Sequence, residues 1–144
     1  MNNEPELTVL IIDEHPTVSQ MLARSLRRIP GIRVVGETSN VMLGAELAHQ
    51  LEPDVILADF RRTGPPRRET YRWLARISPS SRLIAHTSYL TGGEERSLSH
   101  AGVARCILKG SSVRRLAEEL LEIAHSNGRG AAGRAVRGPT PEEA

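Results

Sequence analysis

Short runs of apolar residues alternate along the chain with segments in which apolar residues recur at the spacing of a helix. The first run, residues 7–12, is nearly continuous and rich in β-branched side chains, as is typical of a strand covered on both faces. Further runs predict strands over residues 32–35, 55–58, 83–85 and 106–108. The pattern therefore predicts five strands, each followed by a segment of helical periodicity.

The helical segments are defined by apolar residues three or four positions apart. In chain order they are marked by Val18, Met21, Leu22 and Leu26; by Leu43, Leu47 and Leu51; by Tyr71, Leu74 and Ile77; by Leu98 and Ala101; and by Val113, Leu116, Leu120 and Ile123. The fourth segment is the weakest, and the last is the strongest, with Ser111 and Ser112 available to cap it. Because strands and helices alternate, we expect one doubly wound α/β domain over residues 1–125, with helices on both faces of a parallel sheet.

Composition narrows the class of protein. The chain has 144 residues, 39% of them apolar, and a formal net charge of +2, which suits one domain with an ordinary core. Its arginines are dispersed, so we expect no specific DNA binding by this chain alone. With one cysteine, a polar N-terminus and no long apolar stretch, it is expected to be cytoplasmic, without disulfides or a membrane segment. Residues 126–144 are rich in Gly, Ala, Arg and Pro, which predicts a disordered tail or a truncated interdomain linker.

Polar residues with distinct chemistry stand directly after four of the predicted strands. They are Asp13 and Glu14 after the first strand, Asp59 after the third, Thr87 after the fourth and Lys109 after the fifth. Ligands of an open α/β sheet bind beyond the carboxyl ends of its strands, so we expect these side chains to converge. Clustered carboxylates favour a hard cation such as Mg²⁺, and a carboxylate can also be a nucleophile that becomes an aspartyl phosphate. Lys109 is the only lysine among 19 basic residues, which favours a site that needs a compact ammonium.

These motifs, in this order, resemble the response-regulator receiver domain of bacterial two-component signalling. The resemblance covers residues 7–125, nearly the whole chain except the tail. Three segments are similar to the NarL/FixJ (LuxR-type) subgroup, namely Asp13-Glu14-His15-Pro16 with Val18, Ala101-Gly102-Val103 and Leu108-Lys109-Gly110-Ser111. The resemblance implies a flavodoxin-like sheet of order 2-1-3-4-5 and a signalling switch that catalyses only its own phosphotransfer and dephosphorylation.

The resemblance also implies a role for each residue at the strand ends. Asp59 would accept a phosphoryl group from a phosphohistidine of a partner sensor histidine kinase, and a protein–protein surface would then switch. Mg²⁺ would be held by Asp13, Glu14, Asp59 and the backbone carbonyl of Arg61. Thr87 and Lys109 would contact the phosphoryl oxygens. A homodimer and a role in transcription control are further implications.

Members of the subgroup usually continue into a helix-turn-helix domain that binds DNA. This sequence ends at Ala144, and its last residues, Pro139-Thr140-Pro141-Glu142, resemble the start of such a domain. We therefore interpret the chain as a single-domain protein or as a truncated regulator. DNA binding is expected only if a longer parent protein carries that domain.

The sequence departs from the family at two places. Cys106 stands three positions before Lys109, where the family usually has Tyr or Phe as a rotamer switch, and we expect this cysteine to pack as a small buried hydrophobe rather than act as a redox sensor. The arginine-rich segment 61–68 replaces the usual loop after Asp59. We interpret it as a rewired solvent loop, although its arginines could also attract phosphate or repel a basic kinase surface. His15 is interpreted as a loop residue rather than a metal ligand.

Three other classes of protein remain as alternatives. A haloacid-dehalogenase-like phosphatase needs a second aspartate two positions after its nucleophile. This chain has Arg61 there, which argues strongly against this class. A flavodoxin-like cofactor carrier needs a glycine- and hydroxyl-rich phosphate loop after the first strand, where this chain has Asp13 and Glu14. A degenerate receiver that acts as a protein-binding adaptor without phosphorylation is the third alternative, and the altered switch position at Cys106 leaves room for it.

Overall fold

The computed structural model describes residues 5–60 and 67–126, and in these residues strands and helices alternate strictly. The strands are β1 (Leu7–Asp13), β2 (Ile32–Thr38), β3 (Val55–Asp59), β4 (Arg82–Thr87) and β5 (Val103–Leu108). The helices are α1 (Pro16–Leu26), α2 (Val41–Leu51), α3 (Arg67–Ile77), α4 (Gly92–His100) and α5 (Val113–Ser126). Residues 61–66 of the predicted loop and residues 127–144 of the predicted tail lie outside the described residues.

The five strands form one sheet of order β2-β1-β3-β4-β5, and every neighbouring pair is parallel. This confirms the predicted fold class and strand order. Three strands are markedly longer than predicted: β2 extends to Thr38, β4 spans Arg82–Thr87 and β5 begins at Val103. Edge strands are only partly buried and carry polar residues such as Glu37 and Arg105, so they lack a continuous apolar run.

The sheet is covered by helices on both faces, as predicted, and each face has its own hydrophobic core. Alternate residues of β1 point to opposite faces, so that Val9 and Ile11 belong to one core while Leu10 and Ile12 belong to the other. The first core is completed by α1 and α5, and the second by α2, α3 and α4. Burial of the central strands against both layers fixes their register, and with it the position of the residues at their ends.

Helix α2 meets the sheet through small residues rather than through the leucines that mark it in the sequence. Its buried positions are Gly44, Ala45 and Ala48, while Leu43 and Leu51 are 45% and 43% exposed. A Cβ atom at Gly44 would lie 2.7 to 2.9 Å from three side-chain atoms of Ile12, so the helix approaches β1 too closely for a larger residue. In α1, likewise, Met21 of the predicted apolar stripe is 53% exposed. Leucine spacing identified these helices correctly but misplaced part of the face that they bury.

No helix in the described residues combines the length and the apolar character that are needed to cross a membrane.

Candidate functional site

The ends of β1 and β3 bring two carboxylates side by side. Asp13 and Asp59 are register partners in the parallel pairing of these strands, and they are 2% and 5% exposed. The chain continues from β1 with the backbone N–H of Glu14, which donates to the carbonyl oxygen of Asp59 at 3.1 Å. The pairing of the backbone therefore places two buried acidic side chains together, as expected from their positions in the sequence.

Lys109 lies between these carboxylates. Its Nζ donates to Asp59 Oδ2 at 2.7 Å and to Asp13 Oδ2 at 2.9 Å. The lysine follows β5 directly, and its backbone N–H donates to the carbonyl oxygen of Thr87 at 2.8 Å, which ties it to the end of β4. Gly110 has a φ of +116°, a conformation that favours glycine, and it turns the chain away immediately after the lysine.

Burial and charge act in opposite directions on these ionisable groups. Burial raises the pKa of the Asp59 carboxyl, the hydrogen bond and charge of Lys109 oppose this rise, and the charge of Asp13 adds to it. Burial alone would lower the pKa of the Lys109 ammonium, but its hydrogen bonds with Asp59 and Asp13 outweigh burial and raise that pKa. Two carboxyl groups therefore share a single ammonium, an arrangement in which a further cation would offset carboxylate charge.

His15 also contacts this pocket. Its Nδ1 lies 2.9 Å from Asp13 Oδ1 and 4.0 Å from Asp59 Oδ2, and its backbone N–H donates to Asp13 Oδ1 at 2.9 Å. Asp13, His15 and Asp59 can present ligand atoms within 4.8 Å of one another, a grouping that could hold a metal ion. The sequence prediction treated His15 as a loop residue and missed this contact, although its position two residues after Asp13 is the signal that could have shown it.

The donor set fits Mg²⁺, which prefers carboxylate oxygens together with water and phosphate oxygens. Asp13 and Asp59 supply carboxylates from adjacent strands, whereas Glu14, which is partly exposed, is not part of the compact grouping among the described residues. The backbone carbonyl predicted for Arg61 lies outside the described residues.

Thr87, at the end of β4, is buried and contacts an arginine that the sequence prediction did not assign to the site. Nη1 of Arg67, the first residue of α3, donates to Thr87 Oγ1 at 3.1 Å. Nη2 of the same side chain lies 3.5 Å from Glu94 Oε2 in the first turn of α4. The sequence prediction placed Arg67 only in an arginine-rich loop, and no spacing rule in the sequence points from α3 to the end of β4.

Cys106 lies on the same face of the sheet as Thr87, because it pairs with Ala85 in the neighbouring strand. It packs against the second core as a partly buried side chain, close to the expected role of a small hydrophobe. Burial, with a smaller contribution from the charge of Glu95, raises the pKa of its thiol to about 12. A protonated thiol reacts slowly with oxidants, which argues against a redox sensor at this position.

His86 is a further buried polar residue that the sequence did not single out. Its ring is 6% exposed, and its Nδ1 has no hydrogen-bond partner among the described residues. Burial, helped by the positive charge of Lys109, lowers the pKa of His86 to about 4. The imidazole is therefore neutral at physiological pH.

Comparison with known proteins agrees with this arrangement. Residues 9–121 match the response regulator receiver domain family. The chain is 39% identical over 84 residues to the nitrate/nitrite response regulator NarL of Escherichia coli K12, covering 58% of this chain and 39% of that protein. It is 32% identical over 114 residues to the transcriptional regulatory protein LiaR of Bacillus subtilis, covering 79% of this chain and 54% of that protein.

The solved structures that it resembles share its fold. One is the signal receiver domain of the putative response regulator NarL from Mycobacterium tuberculosis, with a TM-score of 0.76 and 22% identity, covering 86% of this chain and 100% of that one. The chain spans about half the length, or less, of the curated relatives cited above. Because the family match covers most of the chain, this protein belongs to the response regulator receiver domain family of two-component systems.

Proposed function

We propose that this domain accepts a phosphoryl group on Asp59 from the phosphohistidine of a sensor histidine kinase, and that phosphorylation switches a protein–protein surface. The observation that supports the proposal most strongly is the position of Lys109, whose Nζ lies 2.7 Å from Asp59 Oδ2 and 2.9 Å from Asp13 Oδ2. An ammonium bound to a buried carboxylate is ready to contact the oxygens of a phosphoryl group that joins that carboxylate.

The chemistry is an in-line displacement at phosphorus. A carboxylate oxygen of Asp59 forms the new P–O bond while the bond from phosphorus to the kinase imidazole nitrogen breaks, and the electron pair of that bond stays on the imidazole. Lys109 stabilises the negative charge of the phosphoryl oxygens, and the Thr87 hydroxyl can donate to one of them. Mg²⁺, held by Asp13, Asp59 and, in this proposal, Glu14 and the Arg61 carbonyl, would supply further neutralisation of that charge.

The first test is the substitution Asp59→Asn. This variant keeps the shape of the side chain but lacks a nucleophilic carboxylate, so labelling of the intact protein by acetyl phosphate and Mg²⁺ is expected to disappear. In mass spectrometry, the wild-type protein should gain ~80 Da, the mass of one phosphoryl group, and the variant should not.

Asp54→Asn is the matched control, because Asp54 stands just before the opposite end of β3, where it accepts hydrogen bonds from the backbone N–H and the hydroxyl of Thr8. It is expected to label like the wild-type protein. Undiminished labelling of the Asp59→Asn variant would overturn the proposal.

The alternative, an adaptor that works without phosphorylation, is not favoured. Such a protein has no need for the buried set of Asp13, Asp59 and Lys109, whose like charges are costly to bring together. The altered switch position at Cys106 is compatible with either function, because it concerns the conformational response to phosphorylation rather than the acceptance of the phosphoryl group.

Partners and output belong to the same proposal. The relatives include a protein named as a transcriptional regulator, which supports a role in transcription control through a longer regulator. We propose that this chain alone has no specific DNA-binding activity, since its arginines are dispersed, and that it can form a homodimer. A cytoplasmic location is also proposed, where a free thiol such as Cys106 stays reduced.

A further inference from the structure

Arg67 bridges the functional site and helix α4. Its side chain is only 10% exposed, and its guanidinium contacts both Thr87 and Glu94. One contact is the hydrogen bond from Nη1 to Thr87 Oγ1 at 3.1 Å, and the other is the ion pair of Nη2 with Glu94 Oε2 at 3.5 Å. A planar guanidinium with several N–H donors can hold both partners at once, which a lysine could not do in the same geometry.

The far end of this bridge is the residue that stabilises the start of α4. Glu94 forms a capping box with Thr91: its backbone N–H donates to the Thr91 hydroxyl, and its Oε1 accepts from the Thr91 backbone N–H at 3.0 Å. Within α4 itself the buried residue is Leu98, so the helix has few apolar anchors. Loss of the ion pair between Arg67 and Glu94 would therefore affect the capped first turn of α4, a helix that is only weakly anchored.

The near end of the bridge is the hydroxyl of Thr87, the last residue of β4. Thr87 Oγ1 accepts from Arg67, while its own contact with the carbonyl oxygen of Tyr89 is long, at 3.5 Å. The hydroxyl proton is thus weakly engaged and available to a new acceptor. A phosphoryl group on Asp59 adds ~2 negative charges to the neighbourhood of this hydroxyl. These charges attract both the hydroxyl and the guanidinium behind it.

The space around the bridge is occupied by a small side chain. Cys106 shares the sheet face of Thr87, and the charges of Glu95 and Arg67 both act on the pKa of its thiol. A thiol has no reorienting ring that could carry a signal from the end of β4 to α4. Arg67 instead reaches across this face from the start of α3 and touches both elements.

We infer that Arg67 is the positioning residue that transmits phosphorylation of Asp59 to helix α4, through its hydrogen bond with Thr87 and its ion pair with Glu94. This inference rests on the proposed function. In the unphosphorylated protein Arg67 holds Glu94. After phosphorylation Thr87 turns toward the phosphoryl oxygens, the guanidinium follows the new negative charge, and the ion pair with Glu94 is lost.

The test is amide hydrogen exchange across residues 92–100, with and without acetyl phosphate and Mg²⁺, in the wild-type protein and in Arg67→Gln. In the wild-type protein, phosphorylation is expected to speed exchange in the first turn of α4 by about fivefold, the factor that corresponds to one modest interaction. The Arg67→Gln variant should still accept a phosphoryl group on Asp59, but its α4 exchange should be fast from the start and should not respond.

Arg68→Gln is the matched control, because Arg68 is the next residue of α3 and its ion pair, with Glu69, is exposed. It is expected to behave like the wild-type protein. If Arg67→Gln does not fold, Glu94→Gln tests the same bridge, since glutamine can keep the capping hydrogen bond while losing the charge.

The outcomes separate the two proposals. If a folded bridge variant, Arg67→Gln or Glu94→Gln, is phosphorylated and its α4 still responds as in the wild-type protein, the inference about Arg67 is wrong and the proposed function stands. A wild-type protein that is phosphorylated without any change in α4 also overturns the inference alone. A wild-type protein that is not phosphorylated overturns both.

Discussion

At the scale of single residues, Lys109 has the most demanding position in this molecule. Its ammonium must lie within hydrogen-bonding distance of two buried carboxylates, Asp13 and Asp59, while its side chain is only 17% exposed. A guanidinium is broader than an ammonium and spreads its charge over a plane. The use of lysine at this one place, in a chain that otherwise uses arginine, is explained by that limited space.

We expect Lys109→Arg to slow phosphorylation of Asp59 by acetyl phosphate by about 100-fold, the lower end of the range for loss of a charge-stabilising donor. The reason is that the larger group cannot contact both Asp13 and Asp59 in the same geometry. The rate would be measured by mass spectrometry at a fixed Mg²⁺ concentration, with far-ultraviolet circular dichroism to verify folding. If Lys109→Arg is phosphorylated at the wild-type rate, a guanidinium at this position serves as well as an ammonium.

His86 is expected to make stability depend on pH. The pKa of the folded-state imidazole is lowered to about 4 from an ordinary value of 6.5, first by burial and then by the charge of Lys109. Well above pH 6.5 the imidazole is neutral in both the folded protein and the unfolded chain, so it does not make the free energy of unfolding depend on pH. Between pH 6.5 and 4 the unfolded chain takes up a proton that the folded protein does not, so the free energy of unfolding falls, by up to ~3 kcal/mol in total.

Chemical denaturation at several pH values would measure this effect, and the difference between the wild-type protein and His86→Gln isolates the contribution of the histidine. The free energy of unfolding of the wild-type protein should fall relative to that of His86→Gln, by up to ~3 kcal/mol, as the pH falls from 7 to 4. A constant difference over that range would show that the imidazole titrates normally in the folded state.

At the scale of elements, the close approach of α2 to β1 makes Gly44 sensitive to substitution. Gly44→Ala is expected to lower the free energy of unfolding by ~1–2 kcal/mol, because the new methyl group overlaps Ile12, which is fully buried and cannot move aside. Gly93→Ala in α4 is the control, since its Cβ would meet nothing closer than 4.0 Å. That variant is expected to be neutral or stabilised by up to ~1 kcal/mol. Equal effects at the two glycines would contradict the tight contact.

The elements also show where a sequence pattern predicts structure well. The central strands β1 and β3 are buried on both faces, so their apolar runs located them to within one residue. The central strand β4 was predicted too short, because the polar residues Arg82, His86 and Thr87 stand at its two ends. The edge strands β2 and β5 were predicted too short because partial exposure allows polar residues within a strand. In α2, glycine and alanine make the closest contact with the sheet, and periodicity of large apolar residues cannot show such a contact.

At the scale of the whole molecule, the acidic pocket should link metal binding to stability. A ligand that binds only the folded state at 100 times its Kd raises the free energy of unfolding by ~2.7 kcal/mol. We expect Mg²⁺ to raise the melting temperature of the wild-type protein, measured by calorimetry at constant ionic strength. Asp13→Asn should abolish this rise, whereas Glu69→Gln, which changes an exposed carboxylate on α3, should not. An unchanged response in Asp13→Asn would place the cation elsewhere.

The functional site was predictable to the extent that it depends on topology. Once a parallel sheet of known order is assumed, the residues after each strand must meet at one edge, which is how Asp13, Asp59 and Lys109 were identified. The contact of His15 with Asp13 is local, and the two-residue separation of these residues is a signal that topology does not include. The contact of Arg67 with the last residue of β4 was not predictable, because it depends on how a flexible side chain reaches from a helix to the end of a strand, and neither spacing nor charge determines that reach.

The half-buried thiol of Cys106 has a practical consequence for experiments in solution. With a pKa of about 12, only about one thiol in 10⁵ is ionised at pH 7, so maleimide and similar reagents should leave it largely unmodified. Because Cys106 is the one cysteine of the sequence, two cysteines introduced on exposed turns could each carry a fluorophore or a spin label without prior removal of the native residue. The chain is therefore suited to spectroscopic distance measurements while its natural sequence at the switch position is kept.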